Sequence, residues 1–144
     1  MKSRCTMGNR RRGFTLLELL VVMFILVLLA GVVTLAVTKR VEEAKHAKAV
    51  ADIEVLGSAI DQYHLQNGEY PTTLDALRIK PSGEDLPNWN GPYIKKLVPD
   101  DPWGQPYVYH VPGEHNTDSY DLYTLGKDGN EGGTGSDADV TNWE

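Results

Sequence analysis

Arg10-Arg11-Arg12-Gly13-Phe14-Thr15-Leu16-Leu17-Glu18-Leu19 sets a run of cations against a glycine, and the glycine against an apolar stretch. From Phe14 to Thr38 the only charged residue is Glu18. About 20 apolar residues at ~1.5 Å each span a bilayer, so residues 14–38 read as a transmembrane helix. A carboxylate inside such a stretch is costly and marks a function and a partner. A cleaved secretory signal fits poorly: its apolar core is about 7–15 residues and ends at an Ala-x-Ala-like site. Here the nearest small pair is Ala30-Gly31. A plain single-span anchor leaves Glu18 without a role.

Orientation follows from the flanking charges. Lys2, Arg4, Arg10, Arg11 and Arg12 precede the apolar stretch with no acid among them. Lys39 and Arg40 follow it but are offset at once by Glu42 and Glu43. The positive-inside bias places the N-terminus in the cytoplasm and sends the bulk of the chain across the membrane.

Gly13-Phe14-Thr15-Leu16-Leu17-Glu18-Leu19 resembles the class III signal of type IV pilins and type II secretion pseudopilins. The resemblance implies that a prepilin peptidase cuts between Gly13 and Phe14 and that Phe14 becomes an N-methylated first residue. It also implies an assembly role for Glu18, paired with the terminal amine of a neighbouring subunit. Elementary electrostatics agrees, because a terminal amine is cationic near neutral pH and a buried carboxylate is best tolerated beside a cation.

The whole chain has 144 residues, with 14 Lys+Arg and 20 Asp+Glu. Removing Met1–Gly13 takes away five basic residues and no acid, leaving nine against twenty, a formal charge of −11. Such a surface repels phosphate, so no nucleic-acid partner is expected of the globular part. The single cysteine, Cys5, lies in the leader, so the mature chain has no internal disulfide. Small exported folds often rely on one.

Four segments are expected: a leader over 1–13, the apolar helix over 14–38, its amphipathic continuation over 39–66, and a globular periplasmic region over 67–144. Val41, Ala44, Ala47, Val50 (or Ala51), Ile53, Leu56, Ile60 and Tyr63 recur at three- and four-residue steps, the pattern of an amphipathic helix. No proline interrupts Phe14 to Asn67, and Asn67-Gly68 fits a helix C-cap. Thr72 with Asp75 resembles a weak capping box before a short helix. Residues 80–92, with three prolines and two glycines, read as loop. Strands are expected over Gln105–Val111 and Ser119–Leu125, paired antiparallel across a turn-rich connection. The fold class is therefore α+β, a long N-terminal helix packed against a small antiparallel sheet.

The resemblance extends along the chain. Asn67-Gly68-Glu69-Tyr70-Pro71, Gly91-Pro92-Tyr93-Ile94, Asp101-Pro102-Trp103-Gly104-Gln105-Pro106-Tyr107 and Leu125-Gly126-Lys127-Asp128-Gly129 are similar to the major pseudopilins of type II secretion. Ordinary type IV pilins usually close their C-terminal region with a disulfide, which this chain lacks. The alternative is a major or minor type IV pilin serving adhesion or DNA uptake, marked by a disulfide or a basic exposed face. A third reading, a monomeric anchored calcium-binding protein, has no need for Glu18.

The C-terminal segment from Leu125 to Val140 mixes carboxylates with five glycines. Composition alone leaves two readings open, a solvated tail or a calcium loop of about 6–8 oxygens. An EF-hand fits poorly, since Gly132 and Asp139 break its pattern. Gly132-Gly133-Thr134-Gly135-Ser136-Asp137 matches one β-helix repeat, but a single copy does not stack. The pseudopilin resemblance implies one Ca²⁺ in this loop. Asp128, Asp137 and Asp139 would be side-chain ligands and Leu125 a carbonyl ligand, with Asn130 and Ser136 giving carbonyl or hydroxyl oxygens.

Trp89, Trp103 and Trp143, with six tyrosines beyond residue 69, read as core packing rather than a carbohydrate platform. The four histidines lack metal-ligand spacing. There is no Gly-x-Ser-x-Gly, no phosphate-binding glycine loop and no cysteine nucleophile in the mature chain, so no enzyme is expected. The resemblance implies a filament subunit of the bacterial inner membrane that drives export of folded proteins across the outer membrane. Its implied partners are further copies of itself, minor pseudopilins, an inner-membrane assembly platform and the prepilin peptidase, with the membrane as its station before assembly.

Overall fold

The computed structural model describes residues 13–83 and 85–143, and the side chains of all of these except residues 32–36. The leader expected over 1–13 therefore lies outside the described residues except for Gly13. The chain forms two units, Met1–Lys39 and Arg40–Glu144.

Helix α1 runs Leu16–Asn67. Its N-terminus is fixed by Thr15, whose Oγ1 accepts the backbone N–H of Glu18 at 3.2 Å, the N-cap arrangement. Its C-terminus ends as expected at Gly68, which has φ +81° and donates its N–H to the His64 carbonyl at 2.8 Å. From Leu16 to Leu29 the large apolar side chains are exposed. Among the described residues no helical stretch is long and apolar enough to cross a membrane. Residues 32–36, in the middle of the span expected over 14–38, are outside those whose side chains are described.

In the second unit a 3₁₀ turn, Leu74–Leu77, leads into a long loop and then a three-stranded antiparallel sheet. Strands β1 (Val108–His110), β2 (Asp121–Thr124) and β3 (Val140–Thr141) lie in the order β1-β2-β3. Tyr109 faces Leu122, and Thr124 faces Val140. The structure departs from the sequence reading in three respects. Both expected strands are shorter, and a third strand forms where only loop was expected. The N-cap of the 3₁₀ turn is Thr73 rather than Thr72, and Thr73 makes no side-chain cap hydrogen bond.

The core is one cluster built on Ala49, Ile53, Leu56, Ile60 and Tyr63 of α1. These alternate four- and three-residue steps, which keeps them on one face. Ala76, Leu77, Leu86, Tyr107, Tyr120, Leu122 and Val140 close over them. The expected stripe fails at its start: Val41, Ala44, Ala47, Val50 and Ala51 are all exposed. Successive three-residue steps rotate away from a face by about 60° each, because three residues turn only ~300°. The buried seam instead continues backwards through half-buried His46, Lys45 and Glu42.

Most of the aromatic residues pack on the core as expected, but Tyr123 and Trp143 lie outside the cluster. Tyr63, Tyr107 and Tyr120 are buried. Tyr120 meets the rings of Tyr70 at 5.4 Å and Tyr109 at 5.8 Å. Trp89 lies edge-on to Tyr93 at 5.9 Å.

Candidate functional site

Two regions hold the residues singled out from the sequence. At the N-terminal end, Gly13 and Phe14 precede α1 in exposed, non-helical chain, and Phe14 is 81% exposed. Glu18 sits in the first turn of α1, also exposed. A carboxylate there favours the helix through its macrodipole. Thr15-x-x-Glu18 is a capping pattern that sequence reasoning passed over, although the signal was present.

The second region is the glycine-rich loop. Gly126, Gly129, Gly132, Gly133 and Gly135 all have positive φ, which side chains disfavour. A Cβ on Gly126 would lie 2.7 Å from the Ala138 carbonyl oxygen, and one on Gly133 would lie 2.4 Å from the Asp137 carbonyl oxygen. The two halves of the loop thus approach backbone to backbone. Lys127 N–H donates to the Ser136 carbonyl at 3.1 Å, and Gly132 N–H donates to Asp139 Oδ2 at 2.9 Å.

Of the expected ligands, Asp139 is placed at the junction of the loop and β3, and its Oδ1 is shut off from solvent with no hydrogen-bond partner. An ionised oxygen in that state is costly unless a cation meets it. Asp128 and Asn130 are exposed and partner each other: Asn130 N–H donates to Asp128 Oδ1 at 3.1 Å, and its amide to the Asp128 carbonyl at 3.0 Å. Leu125, Ser136 and Asp137 are half-buried. Among the described residues no three His, Cys, Asp or Glu groups converge as a metal cluster, so a cation held here draws on backbone oxygens too. The donor set is all oxygen, the kind a hard cation takes.

Negative charge is concentrated around the loop. The Tyr123 phenol is pushed up, first by burial and then by Glu131, Glu114, Asp121 and Asp139. Asp121 is 2% exposed. Burial alone would raise its carboxyl, but Glu114, His115 and Asn116 direct backbone N–H groups at it, at 2.7, 2.8 and 2.9 Å, and hold it below the ordinary carboxylate range. His115 Nδ1 adds a contact at 3.3 Å while its ring stacks on Trp143 at 4.1 Å.

The loop rests on a second buried carboxylate. Asp101 accepts N–H bonds from Trp103 at 3.0 Å and Gln105 at 2.8 Å, and the hydroxyl of Thr124 on β2. This closes the Asp101–Gln105 turn and aims the Gln105 amide at Gly129, where a Cβ would come within 2.9 Å. Trp103 Nε1 donates to Glu42 Oε2 of α1 at 3.1 Å. Asp101, Asp121 and Glu42 went unnoticed in the sequence, where each looks like an ordinary surface acid; the Asp101-Pro102-Trp103-Gly104 turn is the one local hint for the first.

Comparison with known proteins bears on both regions. Residues 36–143 match the family model for the type II secretion system, protein G. Residues 8–34 match that for the prokaryotic N-terminal methylation motif. The chain is 47% identical over 141 residues to a type II secretion system core protein G of Pseudomonas aeruginosa, covering 94% of this chain and 97% of that one. It is 47% identical over 139 residues to the same-named protein of Vibrio cholerae, covering 94% and 93%. It is also similar to the crystal structure of the major pseudopilin from the type 2 secretion system of enterohaemorrhagic Escherichia coli. That match has a TM-score of 0.56 and 35% identity, covering 70% of this chain and 88% of that one.

Proposed function

Since the chain belongs to the protein G family of the type II secretion system, and is thus a major pseudopilin, a structural subunit and not an enzyme, we propose that it polymerises into a calcium-stabilised periplasmic filament that drives export of folded proteins. The observation that carries this reading is the apolar surface of α1. From Leu16 to Leu29 its large side chains are about half exposed or more. A soluble monomer does not keep such a surface; lipid covers it before assembly, and neighbouring helices cover it afterwards.

The subunit is membrane-anchored, in keeping with its N-terminal methylation motif. In the proposed arrangement it sits in the inner membrane with its N-terminus cytoplasmic and its C-terminal unit periplasmic. The prepilin peptidase cuts between Gly13 and Phe14, and the exposed, non-helical chain there is open to it. The N-methylated amine of Phe14 then meets Glu18 of an adjoining copy, which removes the cost of an unpaired carboxylate in an apolar setting. Copies are added at an inner-membrane platform, with minor pseudopilins at the tip.

Leu125, Asp128, Asn130, Ser136, Asp137 and Asp139 would hold one Ca²⁺. Bound calcium would supply positive charge to a segment that carries Asp128, Asp137 and Asp139. The residues themselves shape the loop, and the orphaned Asp139 Oδ1 is what supports the assignment.

The test is Glu18→Gln, which keeps the side chain's shape and removes its charge. Mass spectrometry should still find the mature chain starting at Phe14, while electron microscopy of overexpressing cells finds no filaments. Filaments at wild-type abundance would overturn the pairing.

A further inference from the structure

Glu42 lies at the crossing of three contacts that no chemistry described so far uses. Its Oε2 accepts the Trp103 indole N–H at 3.1 Å. Its Oε1 lies 3.6 Å from Lys127 Nζ and 3.8 Å from Lys45 Nζ. The Trp103 hydrogen bond lowers its carboxyl most; burial opposes it, and Lys127 and Lys45, each a smaller effect than burial, add to the lowering and leave the group below the ordinary range.

Lys127 is the only cation after Lys96, and it stands inside the glycine-rich loop, next to Asp128. Its backbone N–H is tied to the Ser136 carbonyl across the loop. Where its ammonium reaches therefore depends on whether the loop is closed. A second route joins the same places: Gly129 rests on Gln105, and Asp101 binds the backbone of both Gln105 and Trp103. Glu42, Lys127, the loop, Gln105, Asp101 and Trp103 thus form a ring of contacts.

We propose that Glu42 is the positioning residue that registers the calcium-holding loop on helix α1, so that loading of the loop is read at the Trp103 indole. The proposal rests on the calcium reading above. Without a cation, Asp139 Oδ1 stays shut off from solvent with no partner, the loop opens more often, and Lys127 loses its fixed reach to Glu42. With one, the ring closes. Coupling of this kind is reciprocal: a contact that calcium strengthens must in turn strengthen calcium binding.

The test uses the full mature chain in detergent micelles. Calorimetry measures Ca²⁺ binding, and the three indole N–H resonances are followed by NMR, with Trp103 assigned by its loss in Trp103→Phe. In wild type, Ca²⁺ should shift the Trp103 resonance and slow its solvent exchange. Glu42→Gln keeps an oxygen for the indole but loses the attraction to Lys127. It should retain the calcium-free melting temperature, lose at least half of the Ca²⁺-induced shift, and bind Ca²⁺ roughly threefold more weakly, the scale of a partly exposed ion pair. Lys127→Met should do the same, and the double variant should lose no more than either alone. Calcium heat without a Trp103 response overturns the proposal and leaves the calcium reading standing. So does a Glu42→Gln chain that is merely less stable, with its response intact. Absence of calcium heat in wild type overturns both.

Discussion

Asp121 carries its charge inside the fold at 2% exposure. Three N–H groups of the 114–116 turn converge on it, and it therefore closes the connection between β1 and β2. Asp121→Asn keeps the shape and loses the charge, and should cost about 2 kcal/mol, since hydrogen bonds to a charged acceptor are worth ~1.5–3 kcal/mol. The pH dependence has a definite sign. The folded-state pKa lies below the unfolded value, so the stabilisation is fully present above about pH 4 and is lost as the pH falls through the folded value. Denaturation at pH 7 and pH 3 should show the gap between wild type and Asp121→Asn narrowing at the lower pH. Gly113→Ala acts on the same group, because its Cβ would lie 2.4 Å from Asp121 Oδ1. It should destabilise by about 1–3 kcal/mol, the usual cost of overpacking, read by the same denaturation curves. Neither role was legible beforehand, since an Asp inside Tyr120-Asp121-Leu122 looks like the outward residue of an alternating strand.

At the scale of elements, α1 separates what periodicity tells from what it does not. That residues from Leu16 to Asn67 form one helix was readable from apolar spacing and the lack of proline. Which face is buried was readable only from Ile53 onward. The test is a pair of neighbours. Leu56 is 3% exposed and Val55 is 64% exposed. Leu56→Ala should cost about 2–5 kcal/mol, and Val55→Ala about 0.5 kcal/mol or less, measured by denaturant unfolding of the full chain followed by tryptophan fluorescence. Comparable losses would mean that the seam is wrong. Strand β3 was missed for a different reason: Val140–Thr141 is two residues long, too short to show alternation. It exists because β2 offers it an edge.

For the molecule as a whole, Cys5 is the single cysteine, so no internal disulfide forms, and the C-terminal loop ends in the strand that completes the sheet. A cation that closes the loop therefore acts on the sheet as well. At free Ca²⁺ about 100 times Kd, binding adds about 2.7 kcal/mol. For a domain of this size each kcal/mol moves Tm by roughly 4–8 °C. Adding a chelator should therefore lower the melting temperature by about 10 °C or more in circular dichroism of the full chain. An unchanged Tm would remove calcium from the proposed function.

The amino-acid order alone determined the methylation motif over residues 8–34, the acid at Glu18, the long helix, its glycine cap and the absence of any cysteine beyond Cys5. Each is written in residues close together in the chain, where local sterics, charge and spacing suffice. Tertiary structure decided which stripe of α1 meets the sheet, that a third strand forms, that Asp101 and Asp121 are buried caps, and that Glu42 gathers Trp103 and Lys127. Those depend on partners as far apart as 85 positions in the case of Glu42 and Lys127. An acid's surroundings are set only when such distant segments fold against it, and no local pattern distinguishes it from a solvated one beforehand.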